Sequence, residues 1–495
     1  MFCVFVLVFL MLKRNKSPLS DWKIIISEYE AKIYFSSVED MKIIKKIKFM
    51  LKFDDMDIGL DMNCFLLQHF NGTEAWLLLK LPFIGTYKGN LCVESDCSLN
   101  FLFSVTNFSK SNEYSQFRCK YKGYERRICE MHRVGYIGSK IVFSFPTKIK
   151  FPSPFLIIGA RTPPFDRVED RLIHEPIWTS ENIIQNTNNI TIINSTSYIF
   201  GRFYNSMMLW HIIFDFLIPA YSTIRNNEGG LMNQERIVFL KDNEFNVFES
   251  LTSVLSSKQI INIIDHKYPL YFNKVFVGIE KFEKEISPQR DLYDMINFQY
   301  QLETLNTEGF RELVYNKFRI ETTDTPKNQI LIVVRKDKKR DLDNPDDVIR
   351  VIETHCNNCI VSKIDFSGLS LQQQVSKCSS ASVIIGLHGS GLTNVIWMQK
   401  STNHKRRILL EILPYNYWCR NWFHVAANIS GVEYFSFMNS YPPNTNDTYN
   451  NILCYSLKSQ CKSIQCHDWI RDKRVTVDIK EFEKTWLKIQ QILND

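Results

Sequence analysis

Between residues 329 and 412 one alternation recurs: a strand-length apolar run, a polar turn, then a helix-start signal. The runs are Gln329-Ile330-Leu331-Ile332-Val333-Val334, Cys359-Ile360-Val361-Ser362-Lys363-Ile364, Val383-Ile384-Ile385-Gly386-Leu387 and Arg407-Ile408-Leu409-Leu410-Glu411-Ile412. Their length and β-branched content predict buried strands. Asn344-Pro345-Asp346-Asp347 predicts a helix start, with Asn as N-cap, Pro in the first turn and acids at the positive end of the dipole. Ser370-Leu371-Gln372-Gln373 reads as a capping box for a helix through Cys378. A β-α-β-α-β-α-β order constrains this stretch to an α/β fold with a parallel sheet and helices on both faces.

Ligands of such sheets sit at the carboxyl ends of the strands. Arg335, His388 and Glu411 all fall near those ends. After His388 come Gly389-Ser390-Gly391-Leu392-Thr393-Asn394, a tight glycine loop followed by a predicted helix. The first N–H groups of that helix would favour an anion such as a diphosphate. Gly-Ser-Gly also serves as a plain turn, so the loop alone leaves both readings open.

The segment from about Ile330 to Pro414 resembles glycosyltransferase family 61. The resemblance rests on Arg335 through Arg340 after a strand, on His388-Gly389-Ser390-Gly391-Leu392-Thr393-Asn394, and on Leu410-Glu411-Ile412-Leu413-Pro414. Residues 475–493 are similar to the family's closing helix. His211-Ile212-Ile213-Phe214-Asp215-Phe216-Leu217-Ile218-Pro219 resembles its other signature, with Met208 where the family usually has Asn; the nearest Asn is Asn205. The resemblance covers roughly residues 155–495.

That resemblance implies a GT-B architecture, two Rossmann-like halves facing a cleft. It also implies inverting transfer from a UDP-sugar without a carboxylate-held metal, so no metal or other cofactor is expected. The leaving diphosphate then needs fixed positive charge and oriented N–H donors. Arg335 and Arg340 supply a planar fork suited to phosphate oxygens, and Gly389, Ser390, Gly391 and Leu392 supply N–H groups. His388 would donate to a phosphate or order the loop, and Glu411 would accept from ribose hydroxyls. Residues 335–340 also read as a solvated basic turn, and Glu411 as a buried carboxylate paired with Arg406 or Arg407.

Inverting transfer needs a general base. His211 and Asp215, four residues apart on one helix face, offer a base and the group that orients it. Their neighbours Trp210, Ile212, Ile213, Phe214 and Phe216 make a core hydrogen bond the competing reading. Two ligands at that spacing lack an evident third, which argues against zinc.

The remaining chain sets the context. At 495 residues it can hold two or three domains, and 45% hydrophobic and 13% aromatic content describe an ordered protein. The formal charge of +7 is modest, and Lys42–Lys52 reads as an amphipathic segment, so no nucleic-acid partner is expected. Met1–Leu12 is apolar and precedes Lys13-Arg14. It is short for a span of about 20 residues and predicts a signal peptide or signal-anchor. The expected place is the endoplasmic reticulum or Golgi lumen, anchored as a type II membrane protein if the segment stays uncleaved; a buried first strand of a cytosolic protein is the other reading. Beyond Cys3, twelve cysteines remain, an even count if all pair. In a reducing compartment Cys356-Asn-Asn-Cys359 would read as a redox pair or half a zinc site, but with no second CxxC at zinc-finger spacing no metal is expected there. Sequons at Asn71, Asn107, Asn189, Asn194, Asn428 and Asn446 agree with secretory passage.

The expected organisation is a leader and stem at 1–20, a disulfide-braced β-rich region at 21–150, an acceptor-side Rossmann-like domain at 151–325 and a nucleotide-sugar domain at 326–495. The expected function is an inverting glycosyltransferase moving a sugar, first GlcNAc, from a UDP-sugar to a hydroxyl of a glycoprotein or glycan. Two alternatives stay open. Asp55-Met56-Asp57 and Asp341-Leu342-Asp343 spell the Asp-x-Asp pattern of a metal-dependent GT-A-like transferase. An inactive lumenal lectin or chaperone would keep the same fold.

Overall fold

The computed structural model describes the backbone of the strands between Trp22 and Val105, and residues from 114 onward except 121–123, 125–126, 147, 160–172, 203–207, 228–234, 242–247, 265, 281–303, 323–325, 336–339, 418–421, 442–453, 455–463 and 495. The apolar leader, Asp55-Met56-Asp57, Asn205 and the sequons at Asn71, Asn107 and Asn446 lie outside the described residues. Chain contacts divide the protein into two compact units. Both are built on sheets, and the whole is mixed α/β.

The first unit carries the antiparallel strands between Trp22 and Lys150. Its largest sheet has a parallel portion, Leu270–Val277, Thr196–Gly201, Arg236–Lys241 and Ile261–Asn262 side by side. Ile128–Ile137 runs antiparallel along the other flank of Leu270–Val277. Gln116–Lys120 pairs with Ile128–Ile137, and the pair is closed by the Cys119–Cys129 disulfide between directly opposed residues.

The second unit takes in residues 209–222, 250–254 and the described residues from Thr304 on. The sequence reading puts His211 and Asp215 in the 151–325 half; by contacts they lie in this unit. Its core is a five-stranded parallel sheet of β1 (Asn328–Val333), β2 (Cys359–Ile364), β3 (Val383–Leu387), β4 (Ile408–Leu413) and β5 (Glu433–Met438). The spatial order is β2-β1-β3-β4-β5. Central β3 and β4 are buried at every position, which is why they read as unbroken apolar runs, whereas edge strand β2 is largely accessible.

Side-chain alternation sorts the two faces. Ile330, Ile332, Ile385, Leu387, Leu410 and Ile412 face one core, shared with helices Pro345–His355 and Ile479–Asn494 through Val348, Ile352, Phe482, Trp486 and Ile489. Val333, Gly386 and Glu411 lie on the opposite face, directly across from one another. That face carries the candidate site.

Several local expectations hold in atomic detail. Ser370 caps helix Leu371–Ser379 with a reciprocal capping box to Gln373. Pro345 opens its helix, but Asn344 does not cap it by its side chain. Its amide is drawn instead to the Val477 backbone, accepting from N at 2.8 Å and donating to O at 3.1 Å. Not every body cysteine pairs: Cys378 is a free thiol, fully buried, and burial pushes it far up from its ordinary value. Cys356 and Cys359 bond to each other, joining the end of helix Pro345–His355 to the start of β2, so neither is a zinc ligand here.

Candidate active site

A sheet of order 2-1-3-4-5 has its topological switch point between β1 and β3, where connections leave in opposite directions and open a crevice. Arg335 follows β1 and His388 follows β3, so both stand at that point. An ideal Cβ built on Gly389 would lie 3.5 Å from Arg335 Nη1, which puts the guanidinium directly over the glycine loop. Asp341 Oδ1 accepts from Arg335 N at 3.0 Å and fixes the start of the turn.

The loop glycines have separate tasks. Gly389 is extended, with φ 164°, so its conformation suits any residue, and a Cβ there would only touch Arg335 Nη1 and Leu387 O at ordinary contact distance. Gly386 and Gly391 are needed for packing: a Cβ on either would come within 3.0 Å of a Val333 side-chain carbon. The segment after the loop is a 3-10 helix, Ser390–Trp397, where the sequence predicts an ordinary helix start. Its tight winding takes Leu392 N–H to Gly389 O at 2.9 Å. Among the described residues the N–H groups of Ser390 and Gly391 then keep no intramolecular acceptor, as expected at a helix N-terminus. Leu392 itself is fully buried and packs beneath Gly386, so it supports the loop and offers no N–H to a ligand.

Behind the loop lies a closed polar network. His388 Nδ1 meets Glu411 Oε1 at 2.5 Å, and Tyr417 Oη is 3.2 Å from His388 Nε2. Tyr434 donates its hydroxyl to Glu411 Oε2 at 2.6 Å. Burial, and then the nearby Glu411 carboxylate, push the Tyr434 phenol far above its ordinary value, so it stays a donor. Glu411 is fully buried with each oxygen held, and neither partner is the Arg406 or Arg407 considered from sequence: Arg406 pairs with Glu433 at 3.2 Å, and Arg407 donates to Ala381 O at 3.0 Å. The carboxylate therefore addresses His388 and Tyr434. The sheet explains the grouping. Gly386 and Ser436 lie directly opposite Glu411, so His388 and Tyr434, two residues from each, are its diagonal neighbours. The two tyrosines are functional candidates that sequence reading misses, because Tyr434 arrives through strand register and Tyr417 through the turn after β4.

The remaining expected residues are placed differently. Arg340 gives its Nε to Asp472 Oδ1 at 2.5 Å, and Asp472 is shared with Arg471 Nε at 2.9 Å. Burial opposes charge on Asp472, but the two arginines outweigh it and lower its carboxyl from the usual range. Asp343 is held by Arg474 at 2.6 Å and Thr476 at 3.1 Å. With Asp341 engaged on Arg335, both acids of this Asp-x-Asp serve the fold. Among the described residues no group of three His, Cys, Asp or Glu is arranged to hold a metal ion.

His211 and Asp215 do meet, His211 Nδ1 on Asp215 Oδ2. Their helix begins as Leu209–Ile212, widens to a π-helix at Ile213–Leu217 and resumes at Ile218–Asn227. Pro219 gives the reason: it lacks an N–H and its ring crowds the carbonyl four residues back, and the wider turn lets Ile218 N–H reach Ile213 O instead. Asp215 is buried, while His211 keeps 11% of its side chain exposed. One aromatic chain links this helix to the glycine loop. Trp210 stacks on Trp422 at 5.4 Å, and Phe423 stands edge-on to both Trp210 (5.2 Å) and His388 (5.2 Å).

Residues 209–404 match the family model described as Glycosyltransferase 61, a segment that spans His211, Asp215, Arg335 and the whole glycine loop and stops before Glu411. No curated protein matches the chain. Residues 209–404 are therefore similar to glycosyltransferase family 61, and that similarity supports a transferase.

Proposed function

We propose that the protein is an inverting glycosyltransferase of the secretory-pathway lumen. It moves a sugar, first GlcNAc, from a UDP-sugar to a hydroxyl of a glycoprotein or glycan, without a resident metal. One observation carries this reading: the Arg335 guanidinium lies over Gly389 at the switch point, beside the Ser390 and Gly391 N–H groups. A fixed cation next to two unengaged N–H donors is what a departing diphosphate requires. The closed His388–Glu411–Tyr434–Tyr417 network holds the loop in that form.

On the acceptor side, the hydroxyl oxygen attacks the anomeric carbon as the bond to the UDP oxygen breaks, and its proton passes to His211. Asp215 holds Nδ1 and supports the charge that the ring gains, a division of labour that general-base sites share. The disulfides, the sequons and the apolar leader support the lumenal placement.

The test is UDP release from UDP-GlcNAc and UDP-xylose in excess EDTA, with and without glycan acceptors. Sustained release is expected. Loss in EDTA restored by manganese would replace this reading with the metal-dependent one, and no release from either donor, together with retained glycan binding, would favour a lectin.

A further inference from the structure

We propose that Asn189 and Asn194 carry N-linked glycans that shield an open sheet edge of the first unit; the inference rests on the lumenal placement above. The two sequons bracket the short strand Thr191–Ile193. This strand pairs in parallel with residues 270–272 on one side, and the described residues supply no strand on the other. An unpaired edge is a template for association with another chain, and proteins cover or charge such edges. Here the edge carries no charge. Ile192, at its centre, is 48% exposed, and Tyr268, just before the partner strand, is 55% exposed.

Both asparagines are placed to bear a glycan in the folded state. Asn189 is exposed at φ 56°, in the turn that enters the strand, a left-handed position that Asn tolerates. Asn194 is exposed where the strand ends, and its Oδ1 accepts from Asn273 Nδ2 at 2.5 Å. That bond survives glycosylation, which uses Nδ2. In the modification, the Asn Nδ2 forms a bond to the anomeric carbon of a lipid-pyrophosphate-linked oligosaccharide. The sugar–phosphate bond breaks, the lipid pyrophosphate leaves, and the amide gives up one proton. The host's oligosaccharyl transferase and its lipid-linked donor supply the reaction.

Glycopeptide mass spectrometry on the full chain expressed in eukaryotic cells tests occupancy, and light scattering of the purified protein tests shielding. The expected result is glycan at both positions and a monodisperse protein. The double variant Asn189→Gln/Asn194→Gln, and equally Thr191→Ala/Thr196→Ala, should self-associate. Adding Ile192→Lys should restore the parent's size. UDP affinity reports whether each variant is folded. Empty Asn189 and Asn194 with glycan at Asn71, Asn107, Asn428 or Asn446 would overturn the proposal and leave the lumenal reading standing. No glycan anywhere would overturn both. Folded variants that remain monodisperse without the glycans would overturn the shielding role.

Discussion

Two histidine–carboxylate pairs of the second unit, His388–Glu411 and His211–Asp215, share a chemistry and differ in construction. His388–Glu411 joins two strand ends in a regular sheet, with side chains 4% and 0% exposed and with both imidazole nitrogens and both carboxylate oxygens taken up. His211–Asp215 lies within one helix, on a π-turn forced by Pro219, and its imidazole remains 11% exposed. A pair that is closed on all sides is suited to holding geometry. A pair that opens to solvent at the imidazole, on an irregular turn of the kind that recurs at functional sites, is suited to exchanging a proton. Under the proposed function the closed pair would position and the open pair would do chemistry, and substitutions can set the two apart.

The largest effect is expected at the open pair. His211→Ala should lower turnover by about 10²–10⁴-fold, the usual range for a lost general base, while UDP affinity stays within about twofold of the parent. Asp215→Asn should follow it in direction. If both folded variants turn over normally, or if they lose melting temperature and keep their specific activity, the pair is a core hydrogen bond and the contrast with His388–Glu411 disappears.

Next is the group that the closed pair serves. Arg335→Ala should weaken UDP binding by about 2–3 kcal/mol, the scale of a lost charge-assisted hydrogen bond, with little change in melting temperature because the side chain is only half-buried. Calorimetry that finds unchanged UDP affinity in the folded variant removes Arg335 from the site.

The sequence makes these residues legible to different degrees. The strands, the capping box and the loop are local, since each depends on residues within one turn or one run, and they appear where periodicity and capping put them. The placement of Arg335 and His388 at the switch point follows from the same pattern once the strand order is known. Tyr434 carries no local signal, because what brings it to Glu411 is the register of three strands, and Tyr417 reaches His388 from the turn after β4. Arg340 shows the opposite failure. A basic run after a strand looks suited to phosphate, but Asp472, 132 residues away, engages it. The 3-10 winding at Ser390 and the π-turn at Ile213 escape prediction for a shared reason: both are adjustments of hydrogen-bond spacing to packing and to Pro219, not preferences of the residues within them.

Tyr434→Phe probes the closed network itself. It leaves Glu411 Oε2 buried without its donor and should cost about 2 kcal/mol of stability, seen as a lower denaturant midpoint at constant slope. Turnover in the surviving folded protein should change far less than in His211→Ala. A variant as stable as the parent would mean that the network is not tightly closed. A large loss of turnover without loss of stability would move the chemistry from His211 toward His388.

The smallest effect is expected from a histidine–carboxylate pair in the first unit, which serves as the control. Glu130 sits 3.1 Å from His132, with Arg118 at 2.6 Å and Lys274 at 3.2 Å. Burial opposes its charge, but the His132 hydrogen bond and the Lys274 and Arg118 charges outweigh it and hold the carboxyl at about 2, below its ordinary 4.5. A depressed carboxyl adds stability that is fully present above about pH 4.5 and is lost as pH falls through about 2. Arg118 and Lys274 are well exposed, so solvent screening brings the expected contribution down to about 1 kcal/mol. Glu130→Gln should therefore melt slightly below the parent at neutral pH, and the two curves should converge toward pH 2, with UDP affinity and turnover untouched at every pH where the protein is folded. Convergence without any catalytic change would show that pairing a histidine with a carboxylate has no catalytic consequence by itself, leaving burial and position to explain the other two pairs. A turnover defect in Glu130→Gln would break that contrast, because it would give a solvated ionic cluster on the first unit's sheet a part in the reaction.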